Sequence, residues 1–423
     1  MSAKKSVIWL LFEKVFVLGA SFLVTALLAR HLLPSAFGQY NYLISIVTLL
    51  GPFTAFGLNS IITRELLNRK QDTVTILGSS LSIRLTISLI LIGTMYLASS
   101  VFIDPNFQTE FLLLLFANFF TSFGVFEFWV NAEMLNQLAA KIRTVIRLTF
   151  SAIKLVGIYL DNNLDFFIIV FALELATLSL SMYFIYLVKR KSRESLKFCK
   201  TESTRLIKQS WMLLLSGIAA VVYLKIDQIM LGYLVNDSAV GIYSVAARLS
   251  EVWYFVPVAI VTSYFPSLLN NKNLSKISYQ NSLQKLCDLL FGLAFILALV
   301  ITLFSNSIVN IAFGSNYADS SSVLVVHIWA GVFIFMRALV SKWILVENLL
   351  KFSFITQFAG AVINVAINWI LIPLYGPVGA ALATLISYAC ASFFVFLAFK
   401  QTRPIAIIMI NSMVYPIRFL KFK

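Results

Sequence analysis

Apolar stretches recur from one end of the chain to the other, separated by short polar segments. Each is about 20 residues long, the length a helix needs to cross a hydrocarbon core about 30 Å thick. A barrel strand would be about half as long and would alternate apolar with polar positions. The pattern predicts twelve membrane-spanning helices, over 7–29, 38–62, 74–99, 111–132, 144–160, 166–188, 209–231, 241–269, 286–304, 322–346, 352–372 and 378–399. Their connections are short, as in a compact bundle. The longest polar segment, 189–208, is too short to fold alone.

Composition agrees with this pattern. The chain is 60% hydrophobic and 12% charged, with a mean hydropathy of +0.89, the profile of an all-α integral membrane protein. The net charge of +15 does not point to nucleic acid, because the basic residues sit in short loops between spans. With the N-terminus in the cytoplasm, the cytoplasmic segments hold Lys4 and Lys5, then Arg64, Arg69 and Lys70, then Lys141 and Arg143. They also hold the basic segment 189–208, Lys272, Lys276, Lys285, Lys351 and a basic tail, whereas the opposite side holds only Arg30. A miscounted span would scramble this asymmetry, so both termini are predicted to be cytoplasmic. The start "MSAKKSVIWLLF" is like that of a signal peptide. The span that follows carries Glu13 and Lys14 and no convincing cleavage site, which predicts a retained first helix. Cys199, Cys287 and Cys390 are scattered and form neither a disulfide framework nor a metal spacing.

A weak repeat divides the chain. Ser35, Ala36, Gly38 and Tyr40 in "LLPSAFGQYNY" recur as Ser238, Ala239, Gly241 and Tyr243 in "VNDSAVGIYSV". Each copy follows the first predicted span of its half and opens the second. Six spans per half make the repeat parallel, related by a pseudo-twofold axis along the membrane normal. The predicted organisation is an N-terminal six-helix lobe (1–188), a basic cytoplasmic linker (189–208), a C-terminal six-helix lobe (209–399) and a basic cytoplasmic tail (400–423). Two such lobes facing each other leave a central cavity. The linker serves as a topology anchor or as a site for anionic headgroups.

Charges inside the spans are the chemical signal. Lys14, Arg84, Arg147, Lys154, Lys225, Arg248, Arg337 and Lys342 all fall within predicted spans. Facing lipid, they would together cost on the order of 20 kcal/mol, so they must point inward, pair with acids or reach an interface. In "IRTVIRLTFSAIKLVGIYL", Arg143, Arg147, Ser151 and Lys154 share one helix face, a stripe roughly 16 Å long. Two readings stand for this stripe. Arg143 and Arg147 either snorkel or bind an anion, and Lys154 either pairs with Glu174 or joins them. Arg84 lies mid-span on a stripe with Ser80 and Ser88 and has no acid in its own helix. In the second half, Asp227 and Arg248 either bridge or act separately; Glu251 follows Arg248, and Arg337 and Lys342 have no acid in their span. His327 reads as a hydrogen-bonded interior residue more readily than as a proton switch. Gln357, Asn364 and Asn368 share a face that makes either interhelical hydrogen bonds or a polar, sugar-facing cavity wall.

Other chemistries lack their residues. There is no Gly-rich phosphate loop for ATP, no metal-ligand spacing, no nucleophile–base constellation and no channel filter. No catalytic activity, cofactor or metal is expected. A parallel repeat also differs from the inverted repeats of many ion-coupled symporters. These exclusions leave a transporter that rocks two lobes around a cavity.

Three segments carry a resemblance: "ALLARHLLPSAFGQYNYLISIVTLLGPFTAFGLNSIITREL", "KIDQIMLGYLVNDSAVGIYSVAARLSEVWYFVPVAIVTSYFPSLL" and "LIPLYGPVGAALATLISY". With the twelve-span layout, the chain resembles the Wzx-type O-antigen flippases of the multidrug/oligosaccharidyl-lipid/polysaccharide exporter superfamily. That resemblance implies a multi-pass protein of the bacterial inner membrane that moves undecaprenyl-pyrophosphate-linked oligosaccharide between leaflets. An O-antigen polymerase and a chain-length regulator are its implied partners. Pyrophosphate calls for Arg and Lys donors, here Arg84, Arg143, Arg147, Lys154, Arg248, Arg337 and Lys342. Asp227, Glu174 or Glu251 would couple transport to an ion. The competing readings are a multidrug/cation antiporter of the same superfamily, a peptidoglycan-precursor flippase and a polysaccharide polymerase. A cationic interior opposes the first, the span count the second and the short outer loops the third.

Overall fold

The computed structural model describes residues 3–68, 72–190 and 194–414, with side chains from residue 17 onward. Lys4, Lys5, Glu13, Lys14, Arg69, Lys70 and the tail beyond residue 414 therefore lie outside the described side chains. The regular elements are helices: α1 (Ala3–Ala55), α2 (Asn59–Asn68), α3 (Thr73–Phe102), α4 (Gln108–Phe120), α5 (Val125–Ala132), α6 (Asn136–Tyr159), α7 (Leu164–Lys189) and α8 (Lys200–Leu234). They continue with α9 (Asp237–Glu251), α10 (Phe255–Leu274), α11 (Lys276–Phe313), α12 (Ser320–His327), α13 (Ala330–Val346), α14 (Lys351–Ala389), α15 (Val395–Ala398) and α16 (Arg403–Met413).

Nine stretches among the described residues are long and apolar enough to cross a membrane, three fewer than the twelve predicted spans. Two physical causes account for the difference. The stretches Val17–Asn68 and Lys351–Ala398, 52 and 48 residues long, each contain two of the predicted spans. Within α1 the break falls at Leu33 (φ 61°), immediately before Pro34; proline disfavours a helical conformation in the residue preceding it. Within α14 it falls at Gly376 (φ 56°), just before Pro377. The third missing stretch is α6, whose Lys141, Arg143, Arg147 and Lys154 lower its apolarity.

The chain divides into two compact units, Met1–Lys225 and Ile226–Lys423. The division falls inside α8, not in the basic segment at 189–208 where the two halves were expected to part. Side-chain chemistry explains why the start of α8 belongs to the first unit. Ser79 accepts the Cys199 N–H at 3.1 Å. Glu65, 6% exposed, accepts from Arg64 at 3.0 Å and from Arg205 at 2.8 Å, and Arg205 also holds Glu202 at 2.6 Å. Leu206 enters a core with Leu58, Ile62, Val125, Phe126 and Tyr186. Between α1 and α2 the chain turns through Phe56 (φ 49°) and Gly57 (φ 64°). There the missing side chain of Gly57 lets the backbone of α8 approach: a Cβ would lie under 3.0 Å from Ser210 O and Leu214 N.

In the second unit, α10, α11, α13 and α16 share one core that includes Leu283, Leu290, Phe335, Met336, Leu339 and Met409. α9, α12 and α14 pack on one another as a second group. Three helices end alike: Met134, Asp161 and Asn348 adopt positive φ, and the next residue's N–H returns to a carbonyl five positions back. This closure satisfies the last carbonyls of α5, α6 and α13.

Gly57→Val should lower stability by about 2 kcal/mol or more, because both the positive φ and the backbone contact oppose a side chain. Gly93→Ala, placed where a Cβ meets open space, should leave the melting temperature in detergent micelles unchanged. A thermal unfolding series on the two variants checks this.

Candidate functional site

Each unit buries polar groups in its membrane-spanning helices, and the two units satisfy them differently. The first relies on charge. Lys154 on α6 donates to Glu174 Oε2 on α7 at 2.6 Å, with both side chains largely buried, and lies 5.9 Å above the Phe171 ring. Arg143 donates to Glu127 Oε1 at 2.5 Å. Arg147, between them on the same stripe, is exposed and meets no acidic partner among the described residues. Among the described residues, the stripe therefore contains two ion-paired cations and one with no acidic partner.

Arg84 is 3% exposed. It donates to Asn59 Oδ1 at 2.6 Å and stacks 5.6 Å over Phe128. Its Nε and the hydroxyl of Ser80, one turn earlier on α3, are buried without hydrogen-bond partners. Ser88 pairs instead with Ser122 at 2.9 Å, and Asn118 donates to Thr54 at 3.1 Å. These bonds tie α3, α4 and the breaks flanking α2 and α5 into one polar layer. Arg84 belongs to that packed layer and does not line an open wall.

The second unit surrounds a carboxylate with neutral donors. Asp227 on α8 is 3% exposed. Its Oδ1 accepts from Asn368 Nδ2 at 2.5 Å. Its Oδ2 accepts from Tyr243 Oη and from Thr384 Oγ1, both at 2.6 Å. Asn368 also donates to Asn364 Oδ1 at 3.1 Å, and Asn364 donates to Ser387 at 3.3 Å. The two asparagines are thus fully buried and face Asp227 across the unit's interior, whereas Gln357, two turns earlier, is half-buried and at the edge. His327 is buried edge-on to Tyr243 at 5.7 Å.

The Asp227–Arg248 bridge, one of the two readings of that pair, does not form. Tyr243 turns one face of α9 toward Asp227. Arg248, five residues on, projects roughly 140° away around the helix and is exposed, with no acidic partner among the described residues. Glu251 and Lys225 are half-buried. Arg337 donates to Ala391 O at 2.7 Å and Thr356 Oγ1 at 2.8 Å. Ala391 lies in a wide π-type turn, Cys390–Phe394, where the normal helical hydrogen bonding is interrupted. Lys342 is half-buried, 5.3 Å over the Phe265 ring.

Sequence reasoning missed three partners. Glu127 falls within the predicted span 111–132, but neither hydropathy nor periodicity matches it to Arg143. Tyr243 carried a signal, since it is one of the four residues that recur between the halves. Thr384 carried none, because it reaches Asp227 from beyond the break at Gly376.

These features define a multi-pass membrane protein whose buried charges are held by helix–helix contacts. Its fold matches the structure titled "Lipid II flippase MurJ, inward closed conformation", with a TM-score of 0.76 and 14% identity over 98% of this chain and 93% of that one. It also matches an inward-facing MATE multidrug resistance transporter of the MOP superfamily, with a TM-score of 0.67 and 15% identity over 92% of this chain and 95% of the other. The chain belongs to the polysaccharide biosynthesis protein family, whose description fits residues 3–272. Two curated relatives come from Haloferax volcanii. "Probable flippase AglR" is 27% identical over 191 residues, covering 42% of this chain and 38% of the relative. "Probable low-salt glycan biosynthesis flippase Agl15" is 26% identical over 179 residues, covering 41% and 37%. The matches thus span less than two-fifths of either relative.

The Lys154–Glu174 contact should behave as a coupled, largely buried pair. Lys154→Ala and Glu174→Ala should each destabilise by about 2–3 kcal/mol, and the double variant by roughly 2 kcal/mol less than their sum. A double-mutant cycle on chemical unfolding in micelles measures the coupling.

Proposed function

We propose that the protein is a flippase for lipid-linked glycan precursors of polysaccharide biosynthesis. In this reading, twelve spans form two six-helix lobes related by the parallel repeat, with both termini in the cytoplasm. Alternating access of the lobes carries undecaprenyl-pyrophosphate-linked O-antigen-type repeat units from the cytoplasmic to the periplasmic leaflet of a bacterial inner membrane. The family membership, the flippase relatives and the MurJ-like fold support the class of activity. The observation that carries the headgroup chemistry is a pair of cations in membrane helices that meet no acid among the described residues: Arg147 and Arg248, both exposed. A guanidinium that costs several kcal/mol to insert and is left unpaired is suited to an anionic ligand.

The residues divide the work accordingly. Arg147 and Arg248 are the primary pyrophosphate donors, supported by Lys342. Arg143, Lys154, Arg337 and Arg84, already bound to protein groups, shape the surrounding helices. Gln357 faces the sugars. Of the three candidate coupling acids, Glu174 is committed to Lys154. Asp227 is bound by neutral donors alone, so its negative charge is the one a proton or cation would compensate, and it is the coupling acid.

Arg147→Ala and Arg248→Ala should each reduce display of the polysaccharide in a complementation assay by roughly tenfold or more at normal protein levels, the loss of one charge-assisted contact. Asp227→Asn should fold and still bind the lipid-linked precursor, but should lose the dependence of flipping on an ion gradient in proteoliposomes. Normal display by both arginine variants would refute the headgroup assignment. Altered drug susceptibility with unchanged display would favour the multidrug antiporter instead.

A further inference from the structure

The far end of the second unit contains a cavity that the transport reading does not use. α11 is 38 residues long, roughly 57 Å, against a hydrocarbon core of about 30 Å. Its polar first turns, from Lys276 to Lys285, therefore project beyond the apolar layer. α16 has eleven residues, too few to cross. It buries Ile405, Ile408 and Met409 against the unit while Ile407 and Ile410 stay exposed, the arrangement of a helix lying at headgroup level. Between the start of α11, the end of α13 and α16 lies a cavity of about 1050 Å³.

The lining has two chemistries. Leu283, Trp343, Leu349 and Ile407 form an apolar wall. Lys272, Lys276, Gln280, Asn281 and Gln401 supply the polar side. Lys272 is anchored, donating to Val346 O and Glu347 Oε1, each at 2.9 Å, with its ammonium 5.7 Å over Tyr279. Glu347, the carboxylate of the lining, is thereby neutralised. Lys276 is exposed and has no acidic partner among the described residues. Lys351, Lys400 and Arg403 neighbour the lining residues Leu349, Gln401 and Pro404 in sequence; Lys351 lies 5.3 Å over the Phe352 ring and Arg403 Nε donates to Leu397 O at 3.0 Å. A headgroup-level cavity with an apolar wall and an uncompensated cationic rim complements an amphiphile carrying a phosphate.

We propose that this cavity is a binding site for one anionic phospholipid of the surrounding bilayer. Its phosphate meets Lys276 and the amides of Gln280 and Gln401, and the upper part of its acyl chains lies along Trp343 and Ile407. The site is independent of what the protein transports, and its occupancy does not require flipping.

Native mass spectrometry of the purified full-length chain tests this, with phosphatidylglycerol and phosphatidylcholine offered at equal concentration. The wild type should retain one phosphatidylglycerol more tightly than phosphatidylcholine, by roughly tenfold. The double variant Lys276→Glu/Lys400→Glu should bind the two lipids alike. Lys276→Gln, which removes one exposed charge, should show an intermediate preference and serves where the double variant melts below the wild type in phosphatidylcholine micelles. Millimolar inorganic phosphate should not displace the retained lipid. Equal retention of the two lipids by the wild type, an undiminished preference in the variants, or displacement by phosphate alone would each overturn the proposal. Polysaccharide display by the same variants reads the flippase assignment separately: normal display with lost lipid preference supports both.

Discussion

A charge inside a membrane-spanning helix must be surrounded, because neither lipid nor apolar side chains can replace its water. This requirement organises both units of the protein. In the first, Arg143 meets Glu127 and Lys154 meets Glu174, so that α6 is tied to α5 and α7 through ion pairs. In the second, Asp227 is held by a phenol, a hydroxyl and an amide, which draw α9 and both halves of α14 onto α8. The two solutions differ in what they leave over. Ion pairs set opposite charges side by side, whereas the carboxylate among neutral dipoles accepts hydrogen bonds from groups that carry no charge. Arg147 and Arg248 stand outside either arrangement, and this exception distinguishes them from the cations that serve the fold.

The long apolar stretches are organised by a second constraint, the interruption of the helix. Leu33 before Pro34 and Gly376 before Pro377 each break a continuous helical segment. The break at Gly376 has a direct consequence for chemistry. It separates Asn368 from Thr384, sixteen positions apart in sequence, and yet both reach the same carboxylate. The π-type turn at Cys390–Phe394 acts similarly on a smaller scale, where Ala391 O receives Arg337.

Most of the helical architecture was legible in the sequence, because hydrophobic run length is a strong signal in membrane proteins. The predicted span ending at residue 62 was misdrawn: the chain turns at Phe56 and Gly57, and nothing in the local hydropathy marks a positive φ. By contacts, the division between the two compact units lies inside α8 and not at the basic segment. A basic, polar segment reads as a linker, but Cys199, Arg205 and Leu206 within it are bound to the first unit. For the candidate site, periodicity identified the cationic stripe on α6 and the asparagine stripe on α14, but it could not assign what either faces. Periodicity fixes a side chain's direction about its own axis and leaves the neighbouring helix unspecified. Asn364 and Asn368 accordingly fit a cavity wall as well as a ligand shell for Asp227, and only their three-dimensional partners separate the two.

The binding of α8's first turns to the preceding helices also bears on the order of assembly. The first unit lacks its own closing piece until the chain has grown through the polar segment and into α8. Before then Glu65 has no Arg205, and the backbone beside Gly57 has no Leu214 to pack against. A ribosome that has released seven helices has therefore delivered an unfinished half. The eighth supplies Arg205 and the backbone at Leu214 to that half and Asp227 to the next, so one helix carries side chains that both units need.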